Sequence, residues 1–234
     1  VQDSTYIKTS RNFENHIYPA FGDRKISTIT PIQMQEQVNE WSKKLVYGRK
    51  LKGLMNNVFK YAIRHGYIET NPVDSVVTSI RKKSNEKSDF YNKDELQKFL
   101  KLVVQTKDLE KITLFRLLAF TGARKGEILA LEWEDWKDDT LSINKAITRG
   151  FGGEEIGNTK TVSSNRLISL DKKTKSILKK WKKQNPNTRY IFENEFKKPI
   201  PSTLPRKWLL GILKDSKLRP IKIHGFRHTH ASLC

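Results

Sequence analysis

A polar, basic stretch without hydrophobic periodicity, residues 78–90 (TSIRKKSNEKSDF), separates two regions that carry regular apolar patterns. Segments of this composition bury too little apolar surface to offset the entropy lost on ordering. The stretch therefore predicts a linker between two domains, residues 1–77 and residues 91–234. An ordinary surface loop is the alternative, but thirteen such residues between two patterned regions favour a domain boundary.

The composition excludes several classes of protein. The longest apolar run, residues 208–213, has six residues, whereas a membrane-crossing helix needs roughly 18–20. The first eleven residues are polar and lack the apolar region of a secretory signal. The single cysteine, Cys234, excludes an internal disulfide framework and a cysteine-clustered zinc finger. Because 36% of the residues are hydrophobic, the chain can still bury a core, and we expect a folded cytoplasmic protein.

The charge predicts a polyanionic partner. Lys and Arg total 45 against 25 Asp and Glu, for a formal net charge of +20, with +7 in residues 1–87 and +13 in residues 88–234. Such a surplus repels itself in a compact chain unless a partner balances it. Nucleic acid is the first candidate, since each neutralised phosphate releases condensed counterions. A membrane surface is disfavoured, because no strongly basic amphipathic helix with a Trp/Phe face is found.

Residues 1–77 have the pattern of a small helical bundle. Apolar residues recur at near-helical spacing over residues 6–17, and Thr30-Pro31 predicts a helix start with Thr as N-cap and Pro in the first turn. A third helix is expected over residues 51–65. The positions predicted to face inward on the second and third helices are Ile32, Met34, Val38, Trp41 and Leu45, then Leu51, Leu54, Val58, Tyr61 and Ala62.

The second region mixes helical and strand-like patterns. Alternation predicts strands over residues 141–143 and 166–170, with the Gly-rich residues 150–157 between them as a hairpin or flexible loop. Helices are expected near residues 92–103, 111–120, 124–131, 172–184 and 202–215, with a last one opening near His224 and turning Ala231 and Leu233 inward. The predicted fold class is mainly α with a small antiparallel β-sheet.

The segment TGARKGEILAL, residues 121–131, combines a helix stop with an immediate helix start. Free backbone N–H groups at such a place favour an anion. Arg124 at this point can hold two oxygens of one phosphate in its planar fork, and Glu127 can position it through an i,i+3 contact. An ordinary surface arginine at a helix start is the alternative.

The segment HGFRHTH, residues 224–230, places an imidazole beside a guanidinium group. On a helix, His224 and Arg227 share a face and can bind a phosphate whose charge is changing. His224 and His228 also have the i,i+4 spacing of zinc ligands. No HExxH glutamate accompanies them, so a metal site is the weaker interpretation.

A third segment, residues 158–161 (NTKT), precedes the second predicted strand. Lys160 at the tip of a hairpin can swing over a bound backbone and protonate a leaving oxygen. Taken alone the signal is weak, because the chain has many lysines and most lysines are exposed.

In order, spacing and flanking residues, the three segments together resemble the catalytic domain of the tyrosine recombinase family, particularly integrases of phages and conjugative elements. Residues 88–234 resemble most of that domain. Residues 1–77 resemble the family's core-binding helical domain, through Tyr18-Pro19-Ala20-Phe21-Gly22 and Asn71-Pro72-Val73.

The resemblance implies a site-specific recombinase that cuts and rejoins DNA through a 3′-phosphotyrosyl intermediate, without metal or other cofactor. Arg124 and Arg227 would bind the non-bridging oxygens of the scissile phosphate, where cations stabilise the developing charge. His224 would assist proton transfer, and Lys160 would protonate the leaving 5′-hydroxyl. Glu127 and His228 would support these four residues.

The resemblance also implies a tyrosine nucleophile some tens of residues after the His-x-x-Arg segment. The seventh residue after Arg227 is Cys234, and six of the seven tyrosines precede Arg124. The remaining one, Tyr190, lies in a strand-like segment typical of a core. We therefore expect residues 1–234 to bind duplex attachment-site DNA as a monomer without cleaving it. The complete protein is expected to form a homotetramer on bacterial nucleoid DNA, with accessory DNA-bending proteins as possible partners.

Two other functions are compatible with parts of the pattern. A DNA-binding protein without catalysis would need the charge alone. A metal-dependent nuclease would need carboxylates that converge from separate elements. The acidic residues are instead crowded into one segment typical of a solvated turn, Glu132, Glu134, Asp135, Asp138 and Asp139.

Overall fold

The computed structural model describes residues 3–78, 89–158 and 165–233. The chain divides into two units, Val1–Ser84 and Asn85–Cys234, so the division falls within the predicted linker. Most of that linker lies outside the described residues. Its last two residues are bound to the second unit: the backbone N–H of Lys222 donates to Asp89 Oδ1 over 2.8 Å, and the carbonyl oxygen of Phe90 accepts a hydrogen bond from Arg219.

The first unit is built from helices packed around one apolar cluster. Its elements are α1 (Asp3–Asn12), a π-helical turn (Phe13–Ile17), α2 (Tyr18–Phe21), a 3₁₀ turn (Ile26–Thr28), α3 (Pro31–Lys44) and α4 (Gly48–Arg64). The cluster extends past α4 and includes Val73 and Val76. The predicted helical bundle is confirmed for the described residues.

Local signals set the start of α3, while its buried face differs in part from the prediction. Thr30 caps the helix: the Gln33 backbone N–H donates to Thr30 Oγ1 over 3.3 Å, and the Thr30 N–H donates to Gln33 Oε1 over 3.1 Å. Met34, Val38 and Trp41 are buried as predicted. Ile32 is 72% exposed and was wrongly placed inward, because it lies about 200° around the helix axis from Met34.

In α4 the buried face is displaced from the predicted one. Leu51 and Ala62 are buried as predicted, while Tyr61 is 61% exposed. The innermost positions between them are Met55 and Phe59. Steps of four residues from Leu51 lead to Met55 and Phe59, and a step of three leads on to Ala62. The inward position in the last turn therefore belongs to Ala62, and the prediction for its neighbour Tyr61 was wrong.

The second unit combines helices with two small antiparallel sheets. Its elements are α5 (Lys93–Gln105), α6 (Leu109–Thr121), α7 (Lys125–Leu129), a 3₁₀ turn (Trp133–Asp135), β1 (Trp136–Lys137), β2 (Thr140–Ile143), β3 (Lys145–Gly150), β4 (Gly153–Asn158), β5 (Arg166–Ser169), α8 (Lys172–Gln184), α9 (Leu204–Leu213) and α10 (Gly225–Leu233). The sheets have the orders β1-β2-β5 and β3-β4. Leu141 pairs with Ile168 in the first, and Gly150 with Gly153 in the second. The predicted fold class is confirmed.

Helix α6 is the centre of this unit and is buried on several sides. Its side chains pack in one core with aromatic residues of α5 and α10: the ring of Phe226 lies 5.7 Å from that of Phe115 and 5.1 Å from that of Phe99. These contacts hold the start of α10 beside α6.

Among the residues that the structure describes, each helix is too short or too polar to span a membrane.

The hairpin β3–β4 is longer than the predicted Gly-rich loop, since its first strand begins at Lys145. It packs on α7 where Gly126 lacks a side chain: a Cβ at Gly126 would lie 2.8 Å from the Ile147 carbonyl oxygen. The Glu154 carboxylate accepts a hydrogen bond from the Ser202 backbone N–H over 2.9 Å, just before α9. The hairpin is therefore held by both α7 and the α9 side of the unit.

The buried face of α10 differs from the prediction. Phe226 and Thr229 are buried, whereas Ala231 and Leu233 are exposed. Thr229 Oγ1 accepts the Tyr91 backbone N–H over 2.9 Å, which ties this face to the start of the unit. Ala231 follows Thr229 by two residues, about 200° around the helix, and therefore points outward.

Candidate functional site

Three of the four residues predicted to carry chemistry come together at the junction of α6, α7 and α10. Arg124 is the N-cap of α7, His224 immediately precedes α10, and Arg227 lies in the first turn of α10. Burial lowers the pKa of both His224 and Arg227, and the positive charge of Arg124 lowers each further, so the three side chains share one electrostatic environment. Lys160 lies outside the described residues.

A direct hydrogen bond joins the two arginine-bearing segments. Arg227 Nη1 donates to the carbonyl oxygen of Gly122 over 2.6 Å. Gly122 ends α6 with a left-handed φ of 60°, a conformation that glycine adopts without steric cost. A Cβ there would also lie 2.6 Å from Cδ2 of His230 on α10. The turn that presents Arg124 is thus packed directly against α10.

Glu127 positions Arg124, as its spacing predicts. Arg124 Nη1 donates to Glu127 Oε1 over 2.8 Å, and the Arg124 backbone N–H donates to Oε2 over 2.8 Å. The side chain of Glu127 is only 2% exposed, while that of Arg124 is 53% exposed. The buried carboxylate therefore fixes one edge of a guanidinium group that remains open to a ligand.

The structure adds Arg166, which the sequence analysis did not single out. Its Nη2 donates to Glu127 Oε2 over 2.8 Å, so one carboxylate contacts two arginines. Burial by itself raises the pKa of a carboxyl group, but hydrogen bonds from Arg166 and Arg124 hold the pKa of Glu127 below its ordinary value. The available signal was a basic residue opening the strand that follows Lys160; the pattern did not specify which element it would face.

The site is strongly positive. Burial lowers the pKa of Arg227, and the charges of Arg124 and Arg166 lower it further against the opposing effect of Glu127. Three guanidinium groups thus lie near one carboxylate, which contacts two of them, Arg124 and Arg166. A tetrahedral oxyanion such as a phosphodiester would offset their mutual repulsion.

The surroundings of His224 favour its neutral form. Burial lowers its pKa, and the positive charges of His228, Arg227 and Arg124 lower it further, with a smaller opposing effect from Asp89. The ring centroids of His224 and His228 lie 4.8 Å apart, nearly perpendicular. A neutral imidazole at an anion site can donate a hydrogen bond from one ring nitrogen and accept a proton at the other.

Five acidic residues follow α7 and were expected to lie in a solvated turn. Two of them instead belong to a buried ion-pair cluster. Glu132 and Asp135 are buried. Lys145 Nζ lies 3.3 Å from Glu132 Oε2 and 3.1 Å from Asp135 Oδ2, and Arg189 lies 3.1 Å from Glu132 Oε1. Within the described ranges, no group of three or more His, Cys, Asp or Glu residues is arranged to hold a metal ion.

The second unit contains two tyrosines, and both are buried. Tyr91 has no exposed surface, and its hydroxyl donates to the Arg219 carbonyl oxygen over 2.8 Å. Burial raises the pKa of Tyr91 to about 12. Tyr190 is 8% exposed and lies in the core, as its strand-like context predicts.

Comparison with protein families gives two matches. The model described as "Phage integrase family" matches residues 89–233. The model of the phage integrase N-terminal SAM-like domain matches residues 1–42. The first match alone covers more than half of the chain, including all three residues that come together at the site.

Curated relatives carry related names. The ICEBs1 integrase of Bacillus subtilis is 31% identical over 194 residues, covering 76% of this chain and 51% of the relative. The integrase of Staphylococcus phage L54a is 26% identical over 237 residues, covering 86% of this chain and 66% of the relative. The chain therefore spans about half to two thirds of the length of these relatives.

Solved structures have the same fold. The integrase of transposon Tn1549, in complex with transposon right end DNA, matches with a TM-score of 0.83 and 18% identity over 100% of this chain and 81% of that chain. A lambda integrase tetramer bound to a Holliday junction matches with a TM-score of 0.78 and 18% identity, covering 100% of this chain and 67% of that chain. The resemblance identified from the three sequence segments is confirmed.

Proposed function

Because the chain belongs to the phage integrase family, we propose that it supplies the DNA-binding and phosphate-activating part of a site-specific recombinase. The enzyme would cut and rejoin duplex DNA at an attachment-site core through a 3′-phosphotyrosyl intermediate. Residues 1–77 would bind the core DNA as a helical domain, and residues 91–234 would form the catalytic domain.

The observation that carries the proposal is the junction of Arg124, His224 and Arg227. Transfer of a phosphoryl group places negative charge on the non-bridging oxygens, and preorganised cations stabilise it in the transition state. Arg124 is 53% exposed while Glu127 fixes one of its edges. Arg227 is oriented by the Gly122 carbonyl oxygen. Each guanidinium group is therefore held by a contact within the protein before a phosphate binds, which supports a shared role at one phosphate.

Two proton transfers complete the proposed reaction. The nucleophilic tyrosine loses its proton as it attacks the phosphorus, and the leaving 5′-oxygen gains one as its bond to phosphorus breaks. By the family resemblance we assign the donation of the second proton to Lys160 and the acceptance of the first, from the tyrosine, to His224, with His228 adjacent to it. No ATP is needed, because the covalent intermediate keeps the energy of the broken phosphodiester.

We propose that neither tyrosine of the second unit is the nucleophile. Tyr91 and Tyr190 are buried, and attack on DNA requires an accessible hydroxyl group. Residues 1–234 are accordingly expected to bind DNA without cleaving it, and to do so as a monomer. Light scattering that finds a tetramer of this chain would contradict the second expectation.

The partners follow from charge and family. A net charge of +20 suits duplex DNA. The tetrameric state of the lambda integrase on a Holliday junction supports a homotetramer on DNA for the complete gene product. Accessory DNA-bending proteins and a location on the bacterial nucleoid belong to the same proposal.

The test uses the complete gene product and a nicked duplex that carries the attachment site of its own element. The nick lets the 5′ fragment leave, which traps the covalent protein–DNA adduct. We expect Arg124→Ala to lower adduct formation by at least 10²-fold while DNA affinity changes much less. If wild-type protein binds this duplex and forms no adduct, a DNA-binding protein without catalysis is the correct function.

A further inference from the structure

The Glu127 carboxylate is shared by two arginines from different elements. Its Oε1 accepts from Arg124 Nη1 and its Oε2 from Arg166 Nη2, each over 2.8 Å. Arg124 belongs to the turn before α7, whereas Arg166 opens β5, 42 positions later in the chain. The carboxylate is 2% exposed, so its charge is offset by these groups rather than by water.

We propose that Arg166 is a positioning residue of the phosphate site, which acts through Glu127 to fix the guanidinium group of Arg124 and to offset the charge of the carboxylate. This inference rests on the proposed function of the site. Arg166 would not contact the phosphate itself.

Exposure separates the roles of the two arginines. The side chain of Arg124 is 53% exposed and that of Arg166 is 29% exposed, although both contact the same carboxylate. The more open guanidinium group is the one available to DNA. Arg166 is also anchored on a strand paired with β2, where it lies opposite Ile143. It therefore approaches Glu127 from a fixed backbone.

Charge gives the second argument. Arg124, Arg166 and Arg227 carry three positive charges against one negative charge on Glu127, so the group has a net charge of +2. Without Arg166 the net charge falls to +1. The buried carboxylate then acts on Arg124 alone, since Oε2 keeps its hydrogen bond from the Arg124 backbone N–H and loses the one from Arg166. Arg124 would be both partly neutralised and less firmly oriented toward an incoming phosphate.

The experiment is a double-mutant cycle in the complete gene product, with Arg166→Gln, Glu127→Gln and the double variant. The adduct-forming rate on the nicked duplex is measured at saturating DNA, and DNA affinity is measured as a function of salt. Arg166→Gln is expected to lower the rate by about 10- to 100-fold, with little change in affinity or in its salt dependence. In the Glu127→Gln background the same change is expected to cost less than about threefold, because the carboxylate through which Arg166 acts is gone.

Equal losses in both backgrounds would overturn the inference, and so would an unchanged rate in Arg166→Gln. Equal losses together with a salt slope reduced by about 0.9 would identify Arg166 as a direct phosphate contact instead. Arg166→Lys keeps the charge and should restore part of the rate, which a role in packing alone would not produce. Arg149→Gln removes an exposed arginine from β3 and controls for lost charge; its rate should stay within about threefold of the wild type.

A measurement without cleavage separates this inference from the proposed function. In ¹⁵N NMR spectra of residues 1–234, a guanidinium group fixed by a carboxylate shows slow rotation and resolved Nη resonances. We expect those of Arg124 to be resolved in the wild type and averaged in Arg166→Gln. Resolved resonances in both proteins would reject the positioning role, whether or not the complete gene product forms an adduct. An inactive wild type with this NMR response would reject the recombinase and retain the link between the two arginines.

Discussion

Arg227 donates a 2.6 Å hydrogen bond from Nη1 to the carbonyl oxygen of Gly122, a residue 105 positions earlier in the chain. Gly122 lies two residues before Arg124. The bond therefore couples the orientation of one arginine to the backbone that presents the other. The spacing between the two guanidinium groups therefore depends on this turn.

Gly122→Ala is expected to destabilise the second unit by about 2 kcal/mol. A left-handed φ of 60° disfavours any residue with a Cβ, and that Cβ would lie 2.6 Å from the His230 ring. The matched control is Gly211→Ala in α9, where an added Cβ meets no atom within 4 Å; it should stabilise by about 0.5–1 kcal/mol. Denaturant unfolding measures both, and similar values for the two variants would contradict the described packing.

The pKa of His224 should lie below the ordinary value of histidine. ¹H NMR titration can follow it among the five histidines of the chain. His228→Asn should raise the pKa of His224, because it removes a positive neighbour that now lowers it. His16→Asn, a change in the first unit, should leave the His224 titration unaltered. An unshifted His224 in the wild type would show that its ring is solvated.

The same lowered pKa of His224 sets the sign of a pH effect on stability. The unfolded chain binds this proton more tightly than the folded chain, so the contribution of His224 is fully present above the ordinary histidine pKa, near 6.5. It is lost as the pH falls from there through the lowered folded-state value. His224→Asn should remove this component from the pH dependence of the unfolding free energy. A variant with the wild-type pH dependence would refute the assignment.

Lys145→Met should cost about 3 kcal/mol, because it leaves buried carboxylates without their shared cation. Lys145 lies within 3.3 Å of both Glu132 and Asp135, and these carboxylates raise its pKa against the effect of burial. Lys137→Met, at an exposed position in β1, is the control and should change stability by less than about 0.5 kcal/mol. Equal small effects would show that water replaces the lysine in this cluster.

The salt dependence of DNA binding should report the phosphate contacts. Arg124→Gln and Arg227→Gln are each expected to reduce the slope of log K against log salt concentration by about 0.9. Lys137→Gln should leave the slope unchanged, because that lysine is flanked by Asp138 and Asp139, whose charges oppose a phosphate. An unchanged slope in both arginine variants would place the two guanidinium groups away from the DNA backbone.

Local signals were sufficient for many of the elements. The start of α3 at Thr30-Pro31 and the end of α6 at Thr121-Gly122 were both marked by residues that act within one turn of themselves. The helix Lys172–Gln184 begins and ends where its pattern predicts. Such features depend on backbone preferences and nearest neighbours, which are properties of short sequences.

Predictions that depended on a partner element succeeded less often. Ile32, Tyr61, Ala231 and Leu233 were expected inward and are exposed. Helical periodicity defines an apolar stripe, but its edges are decided by the side chains that pack against it. Strand β3 was missed for the same reason: Lys145 begins it, and the buried carboxylates that hold this lysine come from another segment.

The amino-acid sequence by itself determined which chemical groups are available, in what order, and on what kind of local element: Arg124 at a helix start, Glu127 one turn later, and the His224–Arg227 pair at another helix start. Only the tertiary structure decided that these groups meet, that Arg166 shares the carboxylate with Arg124, and that the Gly122 carbonyl oxygen orients Arg227. The reason is physical. Propensities and caps act over a few residues, whereas this charged site joins residues that lie about a hundred positions apart in the chain. They meet because burial of the aromatic core places α10 against α6.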